Sequence, residues 1–311
     1  MIRVDLITGF LGSGKTTFLK RYAQYLLGQG LKIGILENDY GAVNVDMLLL
    51  RDLEGENCGL DMVAGACDAD CHKRRFKTKL IAMGMSGYDR VLIEPSGVFD
   101  VDEFFDSLYE EPLDRWYEIG SVIAVVDANL EDGLSDSADY LLASQAANAG
   151  KIVLSKTQYA SADEVQSTVA HIEAALKKVQ CKRQIRGDII AKDWSAFTDE
   201  DFAAVMNSGY VSESYVKRGT TDDSGFRTLY FMNQPLSAEE LQKSAQAAFD
   251  NPKCGRVFRV KGFVKDGSGW TEFNATRQSA EQRPIAHGQE IVIVIGEHLN
   301  EAEIRRLFER K

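Results

Sequence analysis

Gly9-Phe10-Leu11-Gly12-Ser13-Gly14-Lys15-Thr16-Thr17 follows the short apolar run from Val4 to Ile7 and fits the pattern G-x-x-x-x-G-K-[ST] at every fixed position. Glycines let backbone N–H groups close around a phosphate with no Cβ in the way, and a helix starting here points its positive end at the anion. The Lys15 ammonium can neutralise charge on the β and γ phosphates, and the Thr16 hydroxyl can ligate Mg²⁺. Gly9, Gly12, Ser13, Gly14, Lys15, Thr16 and Thr17 are therefore the candidate phosphate-binding residues. A chance match in a glycine-rich turn is the bland alternative. The context argues against it, because a strand pattern precedes the motif and a helical one (Phe18, Leu19, Tyr22, Leu26) follows.

Two further stretches bring acids to strand ends. Lys32 to Glu37 reads as a buried strand that delivers Glu37-Asn38-Asp39-Tyr40-Gly41 to one edge of a sheet. Asp89 to Glu94 reads as another, ending in Glu94-Pro95-Ser96-Gly97. Open α/β sheets bind ligands at their strand carboxyl ends, so these carboxylates belong near the nucleotide and its metal. Glu94 can hold Mg²⁺ through water, while the Gly97 N–H can sense a γ-phosphate. Lys15, Glu94 and Asp39 are the candidate catalytic groups. A solvated turn is the alternative for the 37–41 loop.

Cys58, Cys67 and Cys71 cluster, with Asp68, Asp70 and His72 interleaved. Cys67 and Cys71 are four apart, so a helix would set both thiols on one face with His72 beside them. Two thiolates, completed by Cys58 or a carboxylate such as Glu37, could form a tetrahedral site for Zn²⁺ or a similar ion. The competing reading makes the thiols small core-fillers. The basic run from His72 to Lys79 reads as a solvated helix face.

A strand from Lys151 to Leu154 ends in Ser155-Lys156-Thr157-Gln158. GTPases commonly have Asn-Lys-x-Asp here, whose carboxylate accepts from guanine N1–H and the 2-amino group. Lys156 remains, and its stem can stack on a base. Gln158 offers a neutral carbonyl where the carboxylate would be, and Ser155 replaces the asparagine. A charge-assisted bond is about twice as strong as a neutral one, so guanine selectivity is weakened and ATP stays open beside GTP.

Strand patterns at 3–8, 32–37, 89–94, 121–127 and 151–154 alternate with helical ones, near 14–27, 136–149 and 161–179 among them. That alternation predicts an α/β fold with a mainly parallel sheet covered by helices, occupying residues 1–206. Residues 207–224 are polar and aperiodic and read as a linker. Residues 225–311 then read as a small α+β domain, with a helix from Ser237 whose Glu240 closes a capping box.

Composition bounds the rest. The 311 residues are 44% hydrophobic and 27% charged, as in a soluble globular chain. The net charge of −11 argues against sequence-independent nucleic-acid binding, which needs a broad basic face. Asp5 interrupts the first apolar run, which argues against a signal peptide, and no stretch is apolar enough to span a membrane. An odd count of five cysteines without export signals favours reduced thiols and the cytoplasm.

Taken together, the sequence resembles the CobW-like P-loop GTPases, relatives of the nickel chaperones HypB and UreG. Gly9–Thr17, the Glu37–Gly41 loop, Glu94–Gly97 and Gly255-Arg-Val-Phe-Arg-Val-Lys-Gly262 carry the likeness. The resemblance implies GTP and Mg²⁺ as ligands, delivery of Zn²⁺, Co²⁺ or a similar ion to a client metalloprotein, and association as a homodimer. A second reading, of a different class, is metal-independent assembly or reactivation of a partner metalloenzyme or corrinoid protein, with the cysteines as packing residues. The family's Cys-x-Cys-Cys motif reads Cys67-Asp-Ala-Asp-Cys71 here, one thiol short and opened in spacing.

Overall fold

The computed structural model describes residues 1–38, 47–63, 69–97, 101–131, 133–217, 225–267, 269–285 and 288–310. Asp39, Cys67 and Asp68 lie outside them. The chain divides into two compact units, Met1–Lys217 and Arg218–Lys311.

The first unit carries strands β1 (Ile2–Thr8), β2 (Ile33–Asn38), β3 (Cys58–Val63), β4 (Arg90–Pro95), β5 (Tyr117–Asp127), β6 (Lys151–Ser155) and β7 (Ile189–Ile190). They form one seven-stranded sheet in the order β3-β2-β4-β1-β5-β6-β7, and every pairing is parallel. All their carboxyl ends therefore face one edge. Helices α1 (Lys15–Gly28), α2 (Met47–Leu50), α3 (Ala69–Gly84), α4 (Val101–Leu108), α5 (Leu113–Trp116), α6 (Asp136–Asn148), α7 (Ala162–Lys178) and α8 (Asp199–Met206) accompany the sheet. One core joins α1 to Ile33, Ile35, Leu92 and Ile123. The other joins α3 and α4 to Leu36, Val91, Ile93 and Val122. Strand residues of alternating parity fall on the two cores, as the pleat requires.

Two strands of the first unit go beyond the sequence reading. β3 was hidden inside the cysteine cluster because Gly59 and Asp61 interrupt its apolar pattern. Gly59 pairs with Gly34, and a Cβ on Gly59 would lie 1.9 Å from the Tyr88 hydroxyl. The glycines make room for that ring. β7 is only two residues long. Residues 207–217, part of the stretch expected as a linker, belong to the first unit, where Val211 N donates to Asn148 O at 3.0 Å and Val216 N to Val179 O at 2.8 Å.

The second unit is an antiparallel sheet of β8 (Phe226–Met232), β9 (Arg256–Asp266), β10 (Gly269–Ala275), β11 (Ala280–Ile285) and β12 (Ile291–Glu297), in the order β11-β10-β9-β12-β8. α9 (Ala238–Asp250) and α10 (Glu301–Phe308) contribute to its core. Ser237 and Glu240 form the expected capping box. β11 escaped the sequence reading because Glu281-Gln-Arg-Pro284 is a polar edge strand. Among the described residues, no helix is long and apolar enough to cross a membrane.

Candidate nucleotide and metal site

The Gly9–Thr17 loop links β1 to α1 and is built for close approach. Gly12 and Gly14 have φ of +76° and +92°, where a side chain is strained. A Cβ on Gly9 would lie 2.2 Å from the Val125 carbonyl oxygen. Gly14 caps α1 without a side-chain hydrogen bond, and no acid occupies the first turn. The first-turn N–H groups and the helix dipole are thus directed at an anion. Lys15 is buried at the start of this turn, and Thr17 is exposed on it. The buried Thr8 and Ser13 hydroxyls have no hydrogen-bond partner among the described residues. Such orphans fit a site that receives polar ligand atoms.

The Thr16 hydroxyl lies 2.8 Å from Glu94 Oε1, so the loop helix meets the end of β4. Glu37 stands beside Glu94 in register. Both are buried, and both follow the Ile35/Leu92 parity that faces α1. A hydroxyl and carboxylates are hard oxygen donors suited to Mg²⁺. Gly97 closes the back of the site, since a Cβ there would lie 2.8 Å from Leu11 N.

The Ser155–Gln158 loop stands beside the phosphate loop. A Cβ on Gly14 would lie 3.7 Å from Ser155 Cβ and 3.3 Å from the Trp194 ring. Lys156 adopts a left-handed φ of +56°, and its ammonium pairs with Asp127 Oδ2 at 2.6 Å. Gln158 is exposed in the turn that follows. Asp127 and Trp194 were not singled out from sequence. Trp194 donates its indole N–H to Leu154 O at 2.9 Å, accepts from Arg21 on α1 through its carbonyl, and packs on Phe18. The short strand β7 ends four residues before this tryptophan.

Behind the loop, Asp5, Tyr22 and Arg90 form a buried cluster. The Tyr22 hydroxyl donates to Asp5 Oδ2 at 2.8 Å, Arg90 to the same oxygen at 2.6 Å, and Ser121 N to Oδ1 at 2.7 Å. Burial pushes the Asp5 carboxyl above its usual range, while Arg90, Ser121 and Tyr22 pull it back.

Of the expected thiol ligands, Cys67 lies outside the described residues, and the structure does not bring Cys58 to the strand end where Glu37 lies. Cys58 opens β3 beside Ile33, at the end of the sheet opposite Glu37. Five residues of strand separate it from Val63, roughly 16 Å. It is buried with apolar neighbours, and burial, with Glu54 nearby, pushes its thiol up to about 11. Cys58 is a core residue, which corrects its place in the expected ligand set. His72 is buried in the helical register of Phe76, Leu80 and Met83, on the α3 stripe that packs against Leu36 and Ile93. Glu37 faces the opposite side of the sheet. Cys71 is half-buried in the first turn of α3. Among the described residues, no three His, Cys, Asp or Glu side chains converge on a metal-holding position. Native alkylation with iodoacetamide at pH 8 is expected to modify Cys71 at least about tenfold faster than Cys58, because only the thiolate reacts. Peptide mass mapping over time reads this, and equal rates would contradict the burial of Cys58.

The parallel sheet, the glycine loop and the acids at the neighbouring strand ends define a P-loop nucleotide-binding fold joined to an antiparallel-sheet unit. The chain belongs to the CobW/HypB/UreG family. The model of that family's nucleotide-binding domain matches residues 3–186, and that of the cobalamin synthesis protein CobW C-terminal domain matches residues 228–311. The zinc chaperone YjiA of Escherichia coli is 31% identical over 183 residues, covering 56% of this chain and 55% of the relative. The zinc-regulated GTPase metalloprotein activator 1 of Schizosaccharomyces pombe is 23% identical over 321 residues, covering 92% and 77%. Zinc-bound YjiA GTPase is similar among solved structures, at 18% identity and a TM-score of 0.35, covering 98% of this chain and 97% of that one. The chain spans about half the length of the two Escherichia coli chaperones it matches.

Proposed function

We propose that the protein hydrolyses a nucleoside triphosphate, GTP in preference to ATP, and uses the cycle to load or deliver a transition-metal ion to a client metalloprotein. The observation that carries this reading is the Thr16–Glu94 contact at 2.8 Å, which ties the phosphate-loop helix to a strand-end acid with Glu37 in register beside it. Lys15 and the first-turn N–H groups of α1 bind the phosphates and balance their charge. Thr16 and Glu94 would hold Mg²⁺, which supplies charge neutralisation at the transferring phosphoryl group. Gly97 offers its N–H to the γ-phosphate, and Asp39, which follows β2 in sequence, orients water. Lys156 stacks on the base, with Gln158 and Ser155 at its rim.

Cys67 and Cys71, with Glu37 or His72, are the proposed transition-metal ligands, and Zn²⁺ or Co²⁺ the cargo. The relatives named as zinc chaperones favour zinc. In this reading the chain works in the cytoplasm as a homodimer. On the same reading nucleotide and metal occupancies are coupled, and a coupling of about 1–3 kcal/mol changes affinity 5–150-fold. Competition titration of Zn²⁺ and Co²⁺ is expected to give affinities differing by at least about fivefold between the GTP-analogue and GDP forms. That difference is expected to disappear in a Cys67→Ala, Cys71→Ala variant. Equal affinities in the wild type remove the coupling. Phosphate release from GTP that persists without any metal binding would point instead to a metal-independent assembly factor.

A further inference from the structure

The last residues of the first unit form a strap that grips α4 at both ends. Toward its C-terminal end, the Tyr210 ring lies 5.4 Å from Phe105. At its N-terminal end, the Tyr215 hydroxyl donates to Asp102 Oδ2 at 2.9 Å, and Lys217 Nζ lies 2.9 Å from the same oxygen. Tyr215 also packs near Tyr140 of α6. The two backbone bonds to Asn148 and Val179 hold the strap's own course.

α4 is a short lever on the nucleotide site. Its first residue, Val101, follows Gly97 by four positions. Gly97 lies against Leu11 of the phosphate loop, and its carbonyl accepts from Gln145 of α6 at 3.4 Å. Three residues earlier, Glu94 holds Thr16. The α6 residues Leu142 and Ala146 share one core with Val101 and Phe104 of α4, so what fixes α4 also bears on Gln145 and the Gly97 carbonyl it holds. Val101, Phe104 and Leu108 bury one stripe of the helix, but apolar packing is non-directional and permits sliding. Asp102 supplies the directional restraint. Lys217 is mostly exposed, so its ion pair is weak enough to break and re-form.

We infer that Asp102, held by Tyr215 and Lys217, positions the Glu94–Gly97 segment for hydrolysis and makes Lys217, where the first unit ends, responsive to the bound nucleotide. The inference rests on the reading that this protein binds and hydrolyses GTP. Asp102 is a positioning residue, acting through α4 and α6 rather than by touching the nucleotide. The strap was legible in the sequence only as a polar, aperiodic stretch.

The test uses the full chain with Mg²⁺, either without nucleotide, with GDP, or with a non-hydrolysable GTP analogue. Trypsin cleavage after Lys217 is followed by mass spectrometry, alongside steady-state phosphate release. Wild-type cleavage is expected to differ by about threefold or more between the GDP and analogue forms. Asp102→Asn and Tyr215→Phe are each expected to lower kcat by about three- to tenfold with KM within about twofold, and to level the cleavage rates across nucleotide states. Tyr215→Phe loses one hydroxyl and carries the test if Asp102→Asn folds poorly. Normal GTP turnover with uniform wild-type cleavage, or variants with wild-type kcat, overturns the inference alone. Absence of wild-type GTP binding and turnover overturns the functional reading and this inference with it.

Discussion

A Lys15→Ala variant is expected to release phosphate from GTP about 10²–10³-fold more slowly than the wild type at saturating nucleotide. That is the size of effect seen when one preorganised charge-stabilising donor is removed from a site. Lys15 is buried in the first turn of α1, within a loop whose glycines leave backbone N–H groups facing inward. Those N–H groups and the helix end survive the substitution, so binding falls less than turnover does. The folded state loses little, because alanine is a good helix former and the deleted ammonium stabilises a ligand more than the core. The expected signature is a collapsed kcat, a smaller rise in nucleotide Kd, and an unfolding midpoint near the wild-type value. Phosphate-release kinetics, fluorescent-nucleotide titration and urea unfolding measure the three. Turnover within tenfold of the wild type would show that this loop is not the phosphate cradle.

The parts of the fold that were readable from sequence are those where one residue type answers one physical demand. Gly9, Gly12 and Gly14 avoid Cβ clashes and left-handed strain, Lys15 and Thr16 carry charge and a hydroxyl, and buried parallel strands must be apolar on both faces. The capping box at Ser237 follows from the same kind of rule. What escaped has no local signature. Cys58 shares a cluster in sequence with Cys71, yet strand geometry carries it to the far end of the sheet. His72 shows helical spacing from Phe76, but whether that stripe faces Glu37 depends on which side of the sheet α3 packs. Asp127 reaches Lys156 only because β5 and β6 are neighbours in register. Trp194 becomes a wall of the nucleotide loop four residues after a two-residue strand that no periodicity reveals. Local chemistry is written in short spacings, whereas convergence across the sheet is written in topology.

The Asp5–Arg90 pair is the sharpest instance of that second kind of information, and its disruption is expected to cost the most stability. In sequence, Asp5 only breaks an apolar run. In the structure it is fully buried and accepts from Arg90, Tyr22 and Ser121, joining β1, β4, β5 and the second turn of α1. Arg90 also donates to the carbonyl of Met206 at the end of α8. An Arg90→Met variant keeps much of the side-chain volume but strands the carboxylate, at an expected loss of about 3–5 kcal/mol. Burial already raises the Asp5 carboxyl, and without Arg90 the strongest opposing pull is gone. The sign for the variant follows. A carboxyl whose folded value lies above its unfolded value favours folding at low pH, and this contribution is lost as pH rises through the folded value. The variant's deficit is therefore expected to be smaller at pH 5 than at pH 8, as measured by urea unfolding at both. Adding Asp5→Asn removes the stranded charge and is expected to recover part of the loss while flattening the pH dependence. A deficit below about 1 kcal/mol, or one that grows on acidification, would mean that water or another cation reaches Asp5. The cluster sits four residues before Gly9 and seven after Lys15, bracketing the phosphate loop. If the pair sets that bracket, nucleotide affinity should weaken in the Arg90→Met variant even under conditions where it remains folded.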